Sequence, residues 1–473
     1  MINLILSKNK KNGILETSKE KLDLIRNFFS IKNPASKSRL PFIQDRLYSI
    51  TPSGKFDIGL TPLIENFLKE KKFIFFTDKH LAEIVNPGKN ISTLTELNMP
   101  LRGYQEKAIL KAINQGCGII ILPTAAGKTL TAATLIKNLS PLLSCSKNCK
   151  TLVIVPTIQL VEQTAQDFLD YGLVNVSKWS GSSELNKSAD IVVAGSQKLL
   201  SEKTDKSFLM QFDIVIIDEA HTLRRGNQLN KIFNFTNTPH KFGFTGTMPP
   251  SIIDQWNVIG KIGNVLYEEK TVDLKNQKFI SDFKILILKI KHTDFILNKN
   301  HLGPTDAYNA EVDFLIANER RNSLISKLAI NLNSNTIIMV DRIHHGELIF
   351  EKIKSLNIDN LPIYFIQGST NLDEREYIRN LMNQNQKTIV IAISKIFSTG
   401  INIPSIQNII FALTGKAKIK IMQSIGRALR LHPLKNRATI FDVADNLKYS
   451  KLHLEERIKL YESENYFYEK KEI

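Results

Sequence analysis

The chain has 473 residues with 63 Lys and Arg against 46 Asp and Glu, which gives a formal net charge of +17. Its hydrophobic content of 42% and charged content of 23% are those of a folded protein with a core of normal size, which excludes a disordered or fibrous chain. The positive charge favours a polyanionic partner such as nucleic acid. A lysine-rich surface without any ligand would carry the same charge, so charge alone leaves both interpretations open.

The cysteines and the hydropathy of the chain limit the cellular environments that we expect for the protein. Three cysteines, Cys117, Cys145 and Cys149, are too few for a disulfide framework and lack the paired spacing of a zinc site, so we expect no structural zinc. No secretory signal pattern opens the chain, and no apolar run reaches the roughly 18–20 residues that a membrane span requires. The sequence predicts a cytoplasmic protein (in the host cytoplasm if the chain is viral) with no membrane partner.

The segment 1–95 differs in character from the rest of the chain. Its short runs of mixed composition, such as INLIL and KFIFF, predict a small α+β domain. Residues 1–90 hold 16 Lys and Arg against 9 Asp and Glu, so this basic N-terminal domain is a candidate for DNA binding. A soluble module with no ligand would also fit these counts.

From residue 96 onward, strongly apolar runs alternate with amphipathic helical patterns in two series. The first series contains GIIIL (118–122), TLVIVP (151–156), DIVVAG (190–195), DIVIIDE (213–219) and KFGFTG (241–246). The second series contains TIIMVD (336–341), IYFIQG (363–368), TIVIAI (388–393), NIIFAL (408–413) and ATIFDV (438–443). Apolar runs separated by helices indicate parallel sheets covered on both faces. We therefore predict two tandem α/β lobes, 96–282 and 283–447.

The tail, 448–473, is charged and helical in pattern. Leu454, Ile458 and Tyr461 fall at positions i, i+4 and i+7 and would form one apolar stripe. Packing of this helix on the second lobe is the favoured interpretation, and a grip on DNA is the alternative.

A turn of small residues links the first strand of the first series to a helix. It consists of Pro123, Thr124, Ala125, Ala126, Gly127, Lys128 and Thr129. A strand, small residues and Gly-Lys-Thr at a helix start suit an anion, because backbone N–H groups and the helix dipole point at it. We expect Lys128 to reach the β and γ phosphates of ATP and the Thr129 hydroxyl to ligate Mg²⁺.

Three further positions carry charge or hydrogen-bonding capacity that suits ATP chemistry. Asp218 and Glu219 end a buried strand, where an acidic pair is costly unless it holds a metal or a water. Asp218 suits Mg²⁺, and Glu219 suits deprotonation of the attacking water. The Gln105 amide can pair with the adenine edge, although a glutamine near a helix start is often only a cap.

Two arginines mark the second lobe. Arg427 and Arg430 lie three residues apart in QSIGRALR and would share one helix face. Guanidinium groups in that position can stabilise charge on a γ-phosphate in the transition state. A helix that forms surface salt bridges would show the same spacing.

The motifs LRGYQ, PTAAGKT, VPTIQL, DEAH, FTGTMP, STGINIP and QSIGRALR, in this order, resemble those of superfamily 2 helicases over about residues 100–432. The general phosphate-loop pattern has a glycine where this chain has Leu122, but the shorter form found here is the one that helicases use. The resemblance implies two RecA-like lobes with ATP between them and a nucleic-acid strand across both.

The resemblance also implies roles for individual residues. Gly400 would lie near the nucleotide, and ATP hydrolysis would be coupled to strand binding by His221, Thr245, Thr247 and Gln423. Strand contacts, mostly to phosphates, would come from Pro156, Thr157, Ser196, Gln197, Ser398 and Thr399. For Ser196 and Gln197 an ordinary turn is an equal alternative.

A narrower resemblance comes from the second lobe and the small N-terminal domain. The run RIHHGELIFEKIK and the sequence around QSIGRALR are similar to those of phage branched-DNA helicases. That family implies unwinding and branch migration of forked or Holliday-type DNA in recombination, repair and replication, with phage recombination proteins as partners. The DEAH of this chain departs from the Cys-His ending in that family.

Three alternatives remain at this point. The first is an RNA helicase. Three features favour a DNA helicase instead: only 43 residues follow Arg430, Thr-Gly-Thr stands at 245–247, and the arginine motif begins with Gln423-Ser424. A translocase that releases transcripts would use the same motor. A non-catalytic DNA-binding protein is disfavoured by the intact Lys128, Asp218 and Glu219.

Overall fold

The computed structural model describes the chain except for residues 9, 38–43, 124, 144–148, 182, 202–205, 278, 280, 295–302, 357–359, 385–386, 395–404, 415–436 and 465. The chain divides into two compact units. Unit 1 contains residues 1–122 and 127–269, and unit 2 contains residues 123–126 and 270–473. No described helix is long and apolar enough to span a membrane.

The N-terminal part of unit 1 is a small mixed α+β domain. Its strands are β1 (Ile2–Leu6), β2 (Asn12–Glu16), β3 (Ser30–Lys32), β4 (Arg46–Tyr48), β5 (Lys55–Asp57) and β6 (Phe75–Thr77), and its helices are α1 (Lys19–Phe28), α2 (Thr61–Glu70) and α3 (Lys79–Val85). The main sheet has the order β5-β2-β1-β6, and β3 pairs with β4. The core forms because alternate residues of the strands point inward, Ile2 and Leu4 among them, against Ile25 and Ile64 of the helices.

The first lobe completes unit 1. Its helices are α4 (Gly103–Gln115), α5 (Lys128–Leu143), α6 (Ile158–Asp170), α7 (Ser196–Leu200), α8 (Leu229–Phe235) and α9 (Ile252–Ile262). Its strands are β7 (Gly118–Ile121), β8 (Thr151–Val155), β9 (Val176–Trp179), β10 (Ile191–Gly195), β11 (Ile214–Asp218), β12 (His240–Thr245) and β13 (Val265–Glu268). They form a parallel sheet of order β13-β7-β12-β11-β8-β10-β9. Helices cover both faces, which is why the central strands are apolar throughout.

The second lobe makes up most of unit 2. Its helices are α10 (Thr271–Asn276), α11 (Pro304–Ala317), α12 (Glu319–Asn331), α13 (Ile343–Leu356), α14 (Leu372–Gln384) and α15 (Lys448–Ser463). Its strands are β14 (Asp282–Ile290), β15 (Thr336–Val340), β16 (Ile363–Ile366), β17 (Ile389–Ile393), β18 (Asn408–Phe411), β19 (Arg437–Asp445) and β20 (Tyr468–Glu472). They form a parallel sheet of order β16-β17-β15-β18-β19-β14-β20. The prediction of two RecA-like lobes after a small α+β domain is confirmed.

The C-terminal segment is part of the second lobe's sheet and core. Arg457 of α15 donates to Asp442 of β19 over 2.9 Å, and the Tyr461 hydroxyl donates to the same carboxylate over 2.9 Å. All three side chains are buried. The strand β20 then adds to the sheet edge beside β14, an element that the helical pattern of the tail did not predict.

Within unit 1 the N-terminal domain packs directly on the first lobe. A Cβ on Gly59 would lie 2.1 Å from the Ile259 carbonyl oxygen, so the two backbones are in contact. Asp57 pairs with Lys261 at 2.8 Å, and the Phe29 and Trp256 rings lie 5.3 Å apart. Close backbone contact, an ion pair and an aromatic pair together make the N-terminal domain and the first lobe one compact body.

Candidate active site

The predicted phosphate loop follows β7 at the carboxyl edge of the first sheet. The Leu122 N–H donates to the Thr245 carbonyl over 2.9 Å, which holds the ends of β7 and β12 together. Ala125 and Gly127 have φ of +70° and +78°, a left-handed conformation that turns the chain into α5 at Lys128. A Cβ on Gly127 would meet Gln105 Nε2 at 2.5 Å, so glycine is required there for space as well as for conformation.

Gln105 is buried, and both ends of its amide are in use. Its oxygen accepts from the Arg102 N–H over 2.9 Å, and its nitrogen donates to the Gly127 carbonyl over 3.4 Å. The side chain therefore caps α4 and holds the phosphate loop at the same time. Adenine recognition by Gln105 stays a prediction. The sequence did not predict the contact between Gln105 and Gly127 of the loop.

Lys128 and Thr129 form the first turn of α5. The Lys128 ammonium donates to the Leu122 carbonyl over 3.3 Å, so it lies back over the loop rather than extending into solvent. Both residues line a cavity of about 20 Å³ together with Asp218, which has room for about one water molecule. The loop, α5 and the end of β11 thus bring the predicted phosphate and metal residues to one place.

Asp218 and Glu219 occupy the end of β11. Asp218 Oδ1 accepts from the Glu219 N–H over 2.9 Å, and Glu219 has a left-handed φ of +54°. Burial, followed by the Glu219 carboxylate, raises the pKa of Asp218 to about 6, although Lys128 lowers it in part. Two neighbouring carboxylates in a low-dielectric site repel each other, and a bound cation would stabilise both.

The donor set fits Mg²⁺ better than it fits a softer metal. A carboxylate and a hydroxyl are hard oxygen ligands, and Mg²⁺ typically takes one or two protein oxygens with waters and substrate phosphates. No cluster of three or more His, Cys, Asp or Glu side chains suited to a metal occurs among the described residues. Asp218 and Thr129 would therefore hold the ion jointly with ATP.

His221 connects the acidic pair to the end of β12. Its Nδ1 lies 3.1 Å from Glu219 Oε2 and 2.9 Å from Thr245 Oγ1. The Thr245 hydroxyl donates to the Thr247 carbonyl over 2.9 Å, so it has only a lone pair to offer His221. This assigns the proton to His221 Nδ1, joins His221, Thr245 and Thr247 by hydrogen bonds, and leaves the Glu219 carboxylate in electrostatic contact with the same imidazole.

Four of the predicted strand contacts lie together at the ends of β8 and β10. Thr157 caps α6 by accepting from the Leu160 N–H over 3.3 Å, and Ser196 donates to the Pro156 carbonyl over 3.4 Å. The free N–H groups at the start of α6 are a favourable place for a phosphate. This bond of Ser196 holds the ends of β8 and β10 together, and both the strand contact and the ordinary turn bond considered for Ser196 stay predictions.

A cavity of about 790 Å³ opens beside these contacts. It is lined by Pro156, Gln197 and Lys198 and, on its apolar side, by Trp179 and Phe208. Neither aromatic residue was predicted from the sequence to line the site. The run SKWSG carries no motif, and only the pairing of β9 with β10 places Trp179 beside the strand contacts.

The remaining predicted residues lie outside the described part of the chain. They are Thr124 of the loop, and Ser398, Thr399, Gly400, Gln423, Arg427 and Arg430 of the second lobe. Their roles stay predictions.

Two family models match the chain in the expected order. The model "Type III restriction enzyme, res subunit" matches residues 98–250, and "Helicase conserved C-terminal domain" matches residues 319–432. Together with two RecA-like lobes and the site above, they define the class: the chain is an ATP-dependent helicase of superfamily 2.

Known relatives agree with this class. The chain is 29% identical over 354 residues to the ATP-dependent DNA helicase uvsW of Enterobacteria phage T4, covering 72% of this chain and 68% of the relative. It is 25% identical over 361 residues to the DNA 3'-5' translocase XPB2 of Sulfurisphaera tokodaii, covering 70% and 78%. Among solved structures, the DUF1998 helicase MrfA bound to DNA shares the fold at a TM-score of 0.55 and 17% identity, over 78% of this chain and 52% of that one. The chain is thus a superfamily 2 helicase similar to UvsW.

Proposed function

We propose that this helicase uses ATP to unwind or branch-migrate forked and Holliday-type DNA. The observation that carries the motor is the connection from Glu219 to the end of a neighbouring strand: the Glu219 carboxylate lies 3.1 Å from His221 Nδ1, and hydrogen bonds join His221 to Thr245 and Thr245 to Thr247. The choice of DNA is supported by the similarity to UvsW, a DNA helicase. The preference for branched DNA is supported by the resemblance of the second-lobe motifs to those of phage branched-DNA helicases. Recombination, repair and replication of phage DNA in the host cytoplasm are the processes that this substrate fits.

In the proposed mechanism each residue of the first lobe has one task. Lys128 and the loop N–H groups bind the phosphates, while Thr129 and Asp218 would hold Mg²⁺, which would neutralise phosphate charge. Glu219 orients and deprotonates the attacking water. Because His221 contacts Glu219 and is hydrogen-bonded to Thr245, a change at the γ-phosphate is transmitted to the end of β12.

The second lobe and the strand contacts complete the proposal. Arg427 and Arg430 stabilise the transition state, Gly400 lies near the nucleotide, and Gln423 takes part in coupling. The strand is bound through phosphate contacts from Pro156, Thr157, Ser196, Gln197, Ser398 and Thr399. The boundaries 1–95, 96–282, 283–447 and 448–473 stay predictions, and α10 and β20 lie in the same compact unit as the second lobe.

The test compares ATP-dependent unwinding of four matched substrates: a DNA fork, a Holliday junction, a linear DNA duplex and an RNA duplex. Faster turnover of the two branched DNAs is expected, with little activity on RNA. Equal rates on branched and linear DNA would refute the branched-DNA proposal, and a faster rate on RNA would assign the motor to RNA.

A translocase that moves on duplex DNA without separating its strands is the second candidate. It is favoured by the similarity to XPB2, which is a DNA translocase. Displacement of a third strand from a triplex without unwinding of a fork would support this candidate over the first.

A further inference from the structure

A large groove lies between the N-terminal domain and the first lobe. We call it the junction groove; its volume is about 1260 Å³, and six lysines line it: Lys10, Lys11, Lys55, Lys111, Lys241 and Lys261. Pockets for small molecules typically measure roughly 300–1,000 Å³, so this groove suits an extended ligand. Three of the lysines come from the N-terminal domain and three from the lobe.

The charge of the junction groove is almost unopposed. Asp57 is the sole carboxylate among the described residues that line it, and its Oδ1 already pairs with Lys261 at 2.8 Å. Lys11 donates to the neutral carbonyl of Asn234, and the Lys111 ammonium lies 5.5 Å from the Tyr267 ring centre. Six lysines and one aspartate give the described lining of the groove a formal charge of +5.

Lys241 is the most constrained of the six. Among the described residues its ammonium has no hydrogen-bond or ion-pair partner. Burial first, and then the charge of Lys261, lower the pKa of Lys241 to about 8. A half-buried ammonium beside a second cation is unfavourable by itself and becomes favourable when an anion enters.

The junction groove is separate from the site of ATP chemistry. It lies at the amino ends of the strands, where Lys241 is the second residue of β12 and Cys117 precedes β7. Thr245 and the phosphate loop lie at the carboxyl ends of the same two strands. Lys241 and Thr245 are four positions apart in β12, and at about 3.3 Å per residue the two places are about 13 Å apart.

We propose that the junction groove binds the phosphate backbone of a DNA duplex, as a second contact separate from the strand-binding edge of the lobe. Lysine ammonium groups, with the amides of Asn114 and Asn264 beside them, are the donors that phosphates take. This inference rests on the proposed function, because two separate contacts suit a molecule that presents a duplex arm and a tracked strand at once.

The experiment measures binding of a 20-base-pair linear duplex without ATP, by fluorescence anisotropy across a range of salt concentrations. The groove variant is Lys11→Gln, Lys55→Gln, Lys241→Gln. Its matched control is Lys69→Gln, Lys71→Gln, Lys137→Gln, which also removes two charges from the N-terminal domain and one from the lobe, at exposed positions outside the groove.

Each phosphate contact contributes about 0.9 to the slope of log affinity against log salt. The groove variant should therefore lose two to three in slope and about a hundredfold in affinity at 0.1 M salt. The control should lose less than one in slope, and a Lys→Arg version of the groove variant should keep the wild-type slope. A thermal melt within a few degrees of wild type confirms that the variant is folded.

Three results would overturn the proposal: an unchanged slope in the groove variant, an equal loss in the control, or an effect limited to inorganic tripolyphosphate as the ligand. The last result would assign the groove to a free phosphate compound. Because this assay uses linear duplex and no ATP, it stays decisive even if the motor shows no preference for branched DNA.

Discussion

Glu219 combines an unfavourable backbone conformation with the proposed role of general base. Its left-handed φ of +54° costs roughly 1 kcal/mol or more for a residue with a Cβ. Local bonds hold it, since its N–H donates to Asp218 and its carbonyl accepts from the Thr222 N–H over 2.9 Å. This conformation places the Glu219 carboxylate beside His221.

His345 is the residue whose protonation most clearly affects the second lobe. It is buried, with Nε2 3.1 Å from Asn322 Oδ1 and 3.5 Å from Arg321 Nη1. Burial first, then the Arg321 guanidinium, lower the pKa of His345 to about 3. Asp445 partly opposes this effect, and the adjacent His344 adds to it.

This pKa predicts acid sensitivity of the second lobe. Below pH 6.5 the unfolded chain binds a proton at His345, whereas the folded chain stays neutral there until about pH 3. The contribution is full above pH 6.5 and is lost as the pH falls, by up to about 1.4 kcal/mol per pH unit. Urea midpoints between pH 7.5 and 5 should fall less steeply in His345→Gln than in wild type.

His344→Gln is the matched control for this experiment. His344 adjoins His345 on α13 but has 73% of its side chain exposed and lies 3.7 Å from Glu347. Its substitution removes only the smallest of the effects on the pKa of His345, so it should change the pH slope far less than His345→Gln does. A shallow slope in both variants would show that burial of His345 is not the cause.

At the scale of elements, the contact between the turn at Gly59 and helix α9 decides how firmly the N-terminal domain is held. Gly59→Ala would place a methyl group 2.1 Å from the Ile259 carbonyl, and relief of this clash should cost about 1–3 kcal/mol. Guanidinium unfolding followed by tryptophan fluorescence measures it, since Trp256 lies at this contact.

Gly103→Ala is the comparison, because a Cβ on Gly103 meets no atom within 4 Å. It should change the free energy of unfolding by less than about 1 kcal/mol. Equal effects of the two substitutions would contradict a backbone contact at Gly59.

The helix α15 depends on a buried ion pair with the sheet. Arg457→Met leaves the Asp442 carboxylate buried without its cation, which should lower the free energy of unfolding by about 3–5 kcal/mol. Arg437 and Asp282 form a half-exposed pair at 3.6 Å in the same sheet, so Arg437→Met should cost about 1 kcal/mol or less. Denaturant unfolding of both variants gives the comparison, and equal costs would show that burial of the Arg457 pair is unimportant.

Most strands that were predicted from the sequence are buried, and most strands that were missed are partly exposed. All ten apolar runs are strands of the two sheets. Nine of them are inner strands, which are apolar because helices cover both faces of the sheet, and the tenth, β16, lies at a sheet edge. The edge strands β9, β13 and β20 were missed, since an edge strand such as YEKKE is mostly exposed and carries no apolar signal. The strand β14 was missed because it lies where the junction between the lobes was expected.

The candidate site shows a similar division. Lys128, Thr129, Asp218 and Glu219 follow from sequence because phosphate and metal chemistry restricts residue type and spacing. The contact of Gln105 with Gly127 and the place of Trp179 depend on pairing between distant segments, which spacing does not encode.

At the scale of the whole molecule, we propose two kinds of contact between unit 1 and nucleic acid. The strand contacts and the ATP residues share the carboxyl edge of one sheet, and the junction groove lies at the amino edge. Residues 1–95 bury apolar surface against Trp256 and Ile259, so point variants test the groove more cleanly than a deletion.

The central claim is that Glu219 drives ATP hydrolysis which DNA stimulates. The direct measurement is steady-state ATPase activity with and without single-stranded DNA, for wild type, Glu219→Gln and the exposed control Glu83→Gln. We predict DNA stimulation in wild type and in the control, and a loss of about 10²–10⁴-fold in Glu219→Gln with ATP binding retained. Hydrolysis that DNA does not stimulate, or that survives Glu219→Gln, would contradict the account.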